Sequence, residues 1–147
     1  MIYLSSHDKF VQISLINLIS QINPNLVSSI KNLSFVHIEV QQVNEQLHFI
    51  YNQQKEVIKT PIKINNMFDC IYNLIFEKTV SINKFDFYPF KQIISYKNNE
   101  VKLNFISNEI LRNLYLYKEH GIDKNTLYCS IWPNFHFNLD QKLNVIF

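Results

Sequence analysis

Apolar residues open the chain as a short run over positions 2–4. They then recur at helical spacing as Phe10, Ile13, Leu15, Ile16, Leu18, Ile19 and Ile22. The run predicts a strand. The recurrence predicts a helix that starts after Asp8, a suitable N-cap, and stops at Asn23-Pro24-Asn25. Residues 34–40 and 47–51 are rich in β-branched and aromatic side chains and predict two strands joined by a polar loop. After Pro61, the stripe Met67, Phe68, Ile71, Leu74 and Ile75 predicts a second helix, capped by Asn65 or Asn66 and ending near Lys78.

From Val80 the pattern changes, with apolar stretches alternating with turn residues. Three short strands are predicted, the last two a hairpin about Asn98-Asn99. Asn104 then caps a helix whose buried face carries Ile106, Ile110, Leu111, Leu114 and Tyr115. Gly121 closes the connection that follows by accepting a left-handed backbone. Asp123 caps the next helix, which carries Leu127 and Ile131 to Trp132-Pro133, with the tryptophan sealing the interior. Leu139, Leu143 and Ile146 set a last helical pattern. The order of elements predicts an α/β unit over residues 1–78 and an α+β unit over residues 79–147.

With 147 residues, of which 47% are hydrophobic and 14% aromatic, the chain can bury a substantial core. No apolar run reaches the roughly 18–20 residues of a membrane span, and the first ten residues lack the basic-then-apolar order of a secretory signal. A cytoplasmic protein with no membrane partner is expected. Alanine is absent and lysine outnumbers arginine thirteen to one, the drift expected of an AT-rich genome, so single lysines and asparagines carry little information. The sole glycine, Gly121, carries more weight. Loops that cradle phosphate with closely approaching backbone need several glycines, so nucleotide enzymes built on them are excluded.

Candidate chemistry is sparse. Cys70 and Cys129 form no CxxC unit and are expected to be buried thiols. Of the five histidines none is spaced i, i+3 or i, i+4 from another. His37 and His48 could meet across strands, but ordinary histidines are the expectation. No serine lies in a nucleophile elbow and Cys70 falls on an apolar helix face. Phe85, Phe87, Tyr88 and Phe90 could stack on bases, yet in this pattern they belong to a core. No catalytic residue, metal or cofactor is expected, and the chain is not read as an enzyme.

One resemblance adds to this reading. Val101-Lys-Leu-Asn104, the apolar Ile110, Leu111 and Leu114, the stretch from Gly121 to Trp132, and the amphipathic start at Asn138 agree in order and spacing with a known domain. They resemble the winged-helix effector domain of response-regulator transcription factors of the OmpR/PhoB class, truncated before its C-terminal wing. The first 75 residues look like a shortened, degenerate receiver domain. In that comparison residues 2–8 match the first strand and acidic corner, residues 35–40 the strand ending at the phosphoacceptor, and residues 59–75 the lysine-proline corner and last helix.

The departures matter as much. Ser5 and Ser6 stand near the acidic corner, Glu39 stands at the phosphoacceptor, and Thr60 precedes the proline. Phosphoryl transfer needs metal-binding carboxylates, an acceptor aspartate and a pairing lysine, so no phosphorylation is expected. Glu39 could mimic a charged acceptor, but a solvated glutamate at a strand end is the plainer reading. The resemblance implies double-stranded DNA as a partner. Gln141, Lys142 and Asn144 would face bases or phosphates, and Lys118 and Lys124 the backbone. Residues 80–147 hold eight basic and six acidic side chains, a net charge of 8 − 6 = +2, so binding by a monomer should be weak. The alternative is a module that has lost DNA contact and binds itself or another protein through exposed apolar surface.

Overall fold

The computed structural model describes residues 1–132. Strand β1 (Ile2–Ser5) leads into helix α1 (Lys9–Ile22), and the Asp8 carboxylate caps it by accepting from the Phe10 and Val11 amides. Strands β2 (Val36–Val43), β3 (Gln46–Tyr51) and β4 (Gln54–Lys59) follow, then helix α2 (Ile64–Ile75). The second half holds β5 (Val80–Ile82), β6 (Phe85–Tyr88), β7 (Ile93–Tyr96) and β8 (Asn99–Lys102). Helices α3 (Phe105–Leu116) and α4 (Lys124–Ile131) complete it. The molecule is thus a mixed α/β protein with two four-stranded sheets and four α-helices among the described residues.

In the first sheet β1 runs parallel to β2, as the intervening helix requires, while β2, β3 and β4 form an antiparallel meander. Alternation places Ile2, Leu4, Ile38, Val40, Leu47, Phe49 and Ile58 on one buried face, under the apolar stripes of α1 and α2. Tyr3, Ser5, His37, Glu39, His48 and Val57 line the other face, which no helix covers among the described residues. Pairing beyond β1 is taken up by the Leu26–Ser28 segment: the Ile2 amide donates to the Leu26 carbonyl and the Ser28 amide to that of Ile2.

The second sheet is an antiparallel meander in the order β5-β6-β7-β8. The tight turns of both sheets show how a chain with one glycine makes hairpins. Asn44, Asn52, Asn83 and Asn98 occupy left-handed positions that glycine usually fills, because asparagine tolerates them best among the other residues. Lys97 and Gln53 share such turns at φ 46° and 65°, conformations that cost an ordinary side chain about 1 kcal/mol or more.

The two sheets share no strand pairing but one core. Phe35, just ahead of β2, meets Phe87 edge-on with ring centroids 6.5 Å apart, meets Phe90 in the same way, and stacks on Tyr115 of α3 at 5.7 Å. Buried residues from Ile2 to Phe87 form one continuous cluster. A smaller cluster of Ile110, Leu127 and Ile131 joins α3 to α4.

Several expectations are corrected. Residues 54–59 form a strand that the hydropathy pattern does not show, since an edge strand rich in lysine carries few apolar side chains. The region after Val80 holds four strands, and the last hairpin turns at Lys97-Asn98, one residue earlier than predicted. Helix α2 begins at Ile64, because the Met67 amide already bonds the Lys63 carbonyl, so neither Asn65 nor Asn66 caps it; it ends at Ile75. Leu114, expected inside, is 44% exposed. The rest of the expected face holds, with Ile110 buried and Ile106, Leu111 and Tyr115 partly buried, and α3 also turns Asn108, Glu109 and Asn113 inward. In α4 Tyr128 takes the fully buried place, while Trp132 is half-buried against it and Cys129, one residue further round the helix, is exposed. The helical pattern from Leu139 to Ile146 lies outside the described residues.

Candidate nucleic-acid interface

Helix α4 and the connection before it are built from local signals. Gly121 adopts φ 74°, and its amide bonds the Tyr117 carbonyl, closing the connection that follows α3 with a left-handed residue. Asp123 then caps α4: its carboxylate accepts from the Thr126 amide at 3.0 Å and from the Thr126 hydroxyl. The side-chain bond first, then the backbone bonds, hold the Asp123 carboxyl below its ordinary pKa.

Lys118 lies just past α3 and Lys124 opens α4, so the two flank this one connection, and both are exposed. The Lys118 ammonium rests 4.3 Å from the centre of the Tyr115 ring. Three further candidates, Gln141, Lys142 and Asn144, lie outside the described residues. At one end of the second sheet two turns add a basic and aromatic cluster that the sequence reading does not single out: Lys84 lies 4.9 Å from the Tyr96 ring centre and Lys97 lies 5.3 Å from it. Hairpin register alone brings these turns to the same end.

The side chains expected at a receiver-like acidic corner and phosphoacceptor are engaged in local bonds. Asp8 caps α1, Glu39 accepts from Gln41 Nε2 at 2.7 Å, and the Ser5 hydroxyl sits 2.7 Å from His37 Nε2. His48 pairs across strands with Gln41 and Val57, not with His37. Among the described residues no three His, Cys, Asp or Glu side chains gather to hold a metal ion. Burial pushes the Cys70 thiol above its ordinary pKa, assisted by the Glu56 and Asp69 charges, which works against thiolate chemistry.

Burial lowers the His37 pKa from its ordinary value, the Lys31 charge adds to this, and Glu39 opposes it. A proton is therefore taken up by the unfolded chain before the folded one as pH falls. His37 should contribute stability that is complete above the unfolded pKa and lost as pH drops toward the lowered folded value. An imidazole NMR titration should give His37 a midpoint below about 6.5, the ordinary histidine value. A midpoint above it would contradict the assignment.

On its inner side, α3 carries a polar cluster into the joint between the halves. Arg112 Nη1 donates to Glu109 Oε1 at 2.8 Å, with both side chains mostly buried. The guanidinium lies 5.8 Å from the Phe35 ring centre and 5.4 Å from that of Phe90. Asn108 Nδ2 donates to the Pro89 carbonyl at 3.2 Å, and Asn113 Nδ2 to the Glu109 carbonyl at 2.7 Å. The sequence reading misses this cluster, although one signal was present: the only arginine among fourteen basic residues stands three positions after a glutamate.

Among the described residues no helix is long and apolar enough to cross a membrane. Comparison of the chain with protein-family models, with curated proteins and with solved structures gives no match.

Proposed function

We propose that the chain is a noncatalytic regulator of the OmpR/PhoB type that acts without a phosphoryl switch and engages double-stranded DNA through its C-terminal helices. The observation that carries this reading is the succession of a four-stranded antiparallel meander, α3, a glycine turn and a capped α4, with Lys118 and Lys124 flanking the turn. The engagement of Asp8, Ser5 and Glu39 in local bonds supports the absence of phosphoryl chemistry.

With a net charge of only +2, affinity should rest on few phosphate contacts. The full chain should shift sheared genomic DNA in a gel at low salt and release it near physiological salt. No shift at low salt would overturn the proposal.

A second reading, a protein-interaction or dimerisation module, is favoured by Phe10 and Ile13 on α1, which are 79% and 57% exposed. Sedimentation equilibrium separates the two: salt-insensitive self-association without DNA binding supports the second reading.

A further inference from the structure

An open sheet leaves the backbone groups of its edge strands unpaired, and the edges of this chain differ. Beside β1 the Leu26–Ser28 segment takes up the pairing, and the edge strands β5 and β8 have three and four residues. The six residues of β4 form the longest edge that no strand or loop covers among the described residues. Which of its groups point outward follows from the register. The Thr60 amide donates at 2.8 Å to the carbonyl of Glu45, the residue opposite it beyond the Lys59–Gln46 pair. Bonded pairs alternate along an antiparallel ladder, so Gln54, Glu56 and Ile58 bond to β3, and Lys55, Val57 and Lys59 turn both N–H and C=O outward. The two-residue turn Asn52-Gln53, at φ 47° and 65°, has the same phase, since such a turn closes on a bonded pair.

Helix α2 walls this edge. Asn66, Asp69 and Cys70 lie on one face of α2 and, with Val57 to Lys59 of β4, line an open groove of about 540 Å³. A strand laid in it would gain main-chain bonds from β4 and side-chain contacts from both elements, the β-addition mode of peptide recognition.

Charge then selects the occupant. Alternation puts Lys55, Val57 and Lys59 on the open face of the sheet, and Glu56 and Ile58 on the side of α2. On that second side the Glu56 and Asp69 charges both act on Cys70. Lys63, where β4 passes into α2, adds a positive charge to the groove at the Lys59 end. Among the described residues none of Lys55, Lys59, Glu56 and Asp69 forms an ion pair. A basic row and an acidic row thus border the same edge. Pairing with β4 of a second copy about Val57 would set Lys55 opposite Lys59 at both ends, which disfavours a symmetric dimer.

We propose that the β4 edge docks an extended segment of a partner protein as a fifth strand beside α2, with acidic side chains opposite Lys55 and Lys59 and a basic one opposite Glu56. The site rests neither on DNA binding nor on the exposed Phe10 and Ile13 of α1, so each reading can fail without the others.

The test uses the full chain and the labelled peptide acetyl-Glu-Val-Val-Lys-Glu-amide. In antiparallel register its glutamates meet Lys59 and Lys55 and its lysine meets Glu56. It should bind tighter than the charge-swapped Lys-Val-Val-Glu-Lys by about tenfold or more, and Lys55→Glu combined with Lys59→Glu should reverse that order. N-methylation of the central valine, whose amide would point at β4, should weaken binding by about tenfold or more. N-methylation of the lysine, whose amide would point away, should change it by less than about twofold. On binding, hydrogen exchange should slow at the Lys55, Val57 and Lys59 amides and not at Glu100 on the edge of β8. Four results overturn the proposal: neither peptide binds; both bind equally; the bound peptide leaves the three β4 amides exchanging as in the free chain; or the chain self-associates in sedimentation and slows those amides without peptide.

Discussion

Replacing Phe35 with alanine should destabilise the entire chain by about 3–5 kcal/mol, the range for removing a large aromatic from a packed core. The side chain is 7% exposed and touches aromatic rings from β6, from the segment after it and from α3. It is where the first half grips the second. The loss should therefore appear together in two probes: far-UV circular dichroism, which averages both halves, and the fluorescence of Trp132, at the end of α4 in the second half. Urea curves from the two probes should coincide in the wild type and shift together in the variant. A Phe35→Ala curve in which the Trp132 transition stays at its wild-type midpoint would show that the halves fold apart.

Arg112→Met should have an effect of similar size for a different reason. Glu109 is 4% exposed, and its carboxylate is paired with the guanidinium. Removing only the arginine leaves a buried charge without its counter-ion, a change that costs about 3–5 kcal/mol in buried pairs. Replacing both partners, as Glu109→Gln with Arg112→Met, should restore much of the loss, since the unpaired charge is then gone. The urea midpoints of the two singles and the double form a cycle that isolates the coupling. A single Arg112→Met variant within about 1 kcal/mol of wild type would contradict the burial of the pair.

What was legible in the sequence was local. The Asp8, Asn104 and Asp123 caps and the Gly121 turn each announce themselves, because a cap or a left-handed turn is decided by a residue and its near neighbours. The amphipathic stripe of α2 was equally plain, since Met67, Ile71, Leu74 and Ile75 all face one sheet. Strand β4 was hidden because its identity comes from pairing with β3 rather than from its own side chains. One position on the inner face of α3, Leu114, was misread for a related reason. Hydropathy assigns Leu114 to the core and Glu109 to solvent, but a tertiary partner, Arg112 held between two phenylalanine rings, reverses the assignment. A cleft beside that cluster assembles residues from position 23 to position 112, a convergence no local pattern encodes.

The most direct test of the regulator proposal is the salt dependence of DNA binding, measured by fluorescence anisotropy on a labelled duplex that the chain retards in a gel. If Lys118 and Lys124 each neutralise a phosphate, replacing either with alanine should lower the slope of log affinity against log salt by about one, and replacing both by about two. A double variant that binds with the wild-type slope would contradict the placement of DNA against the turn between α3 and α4.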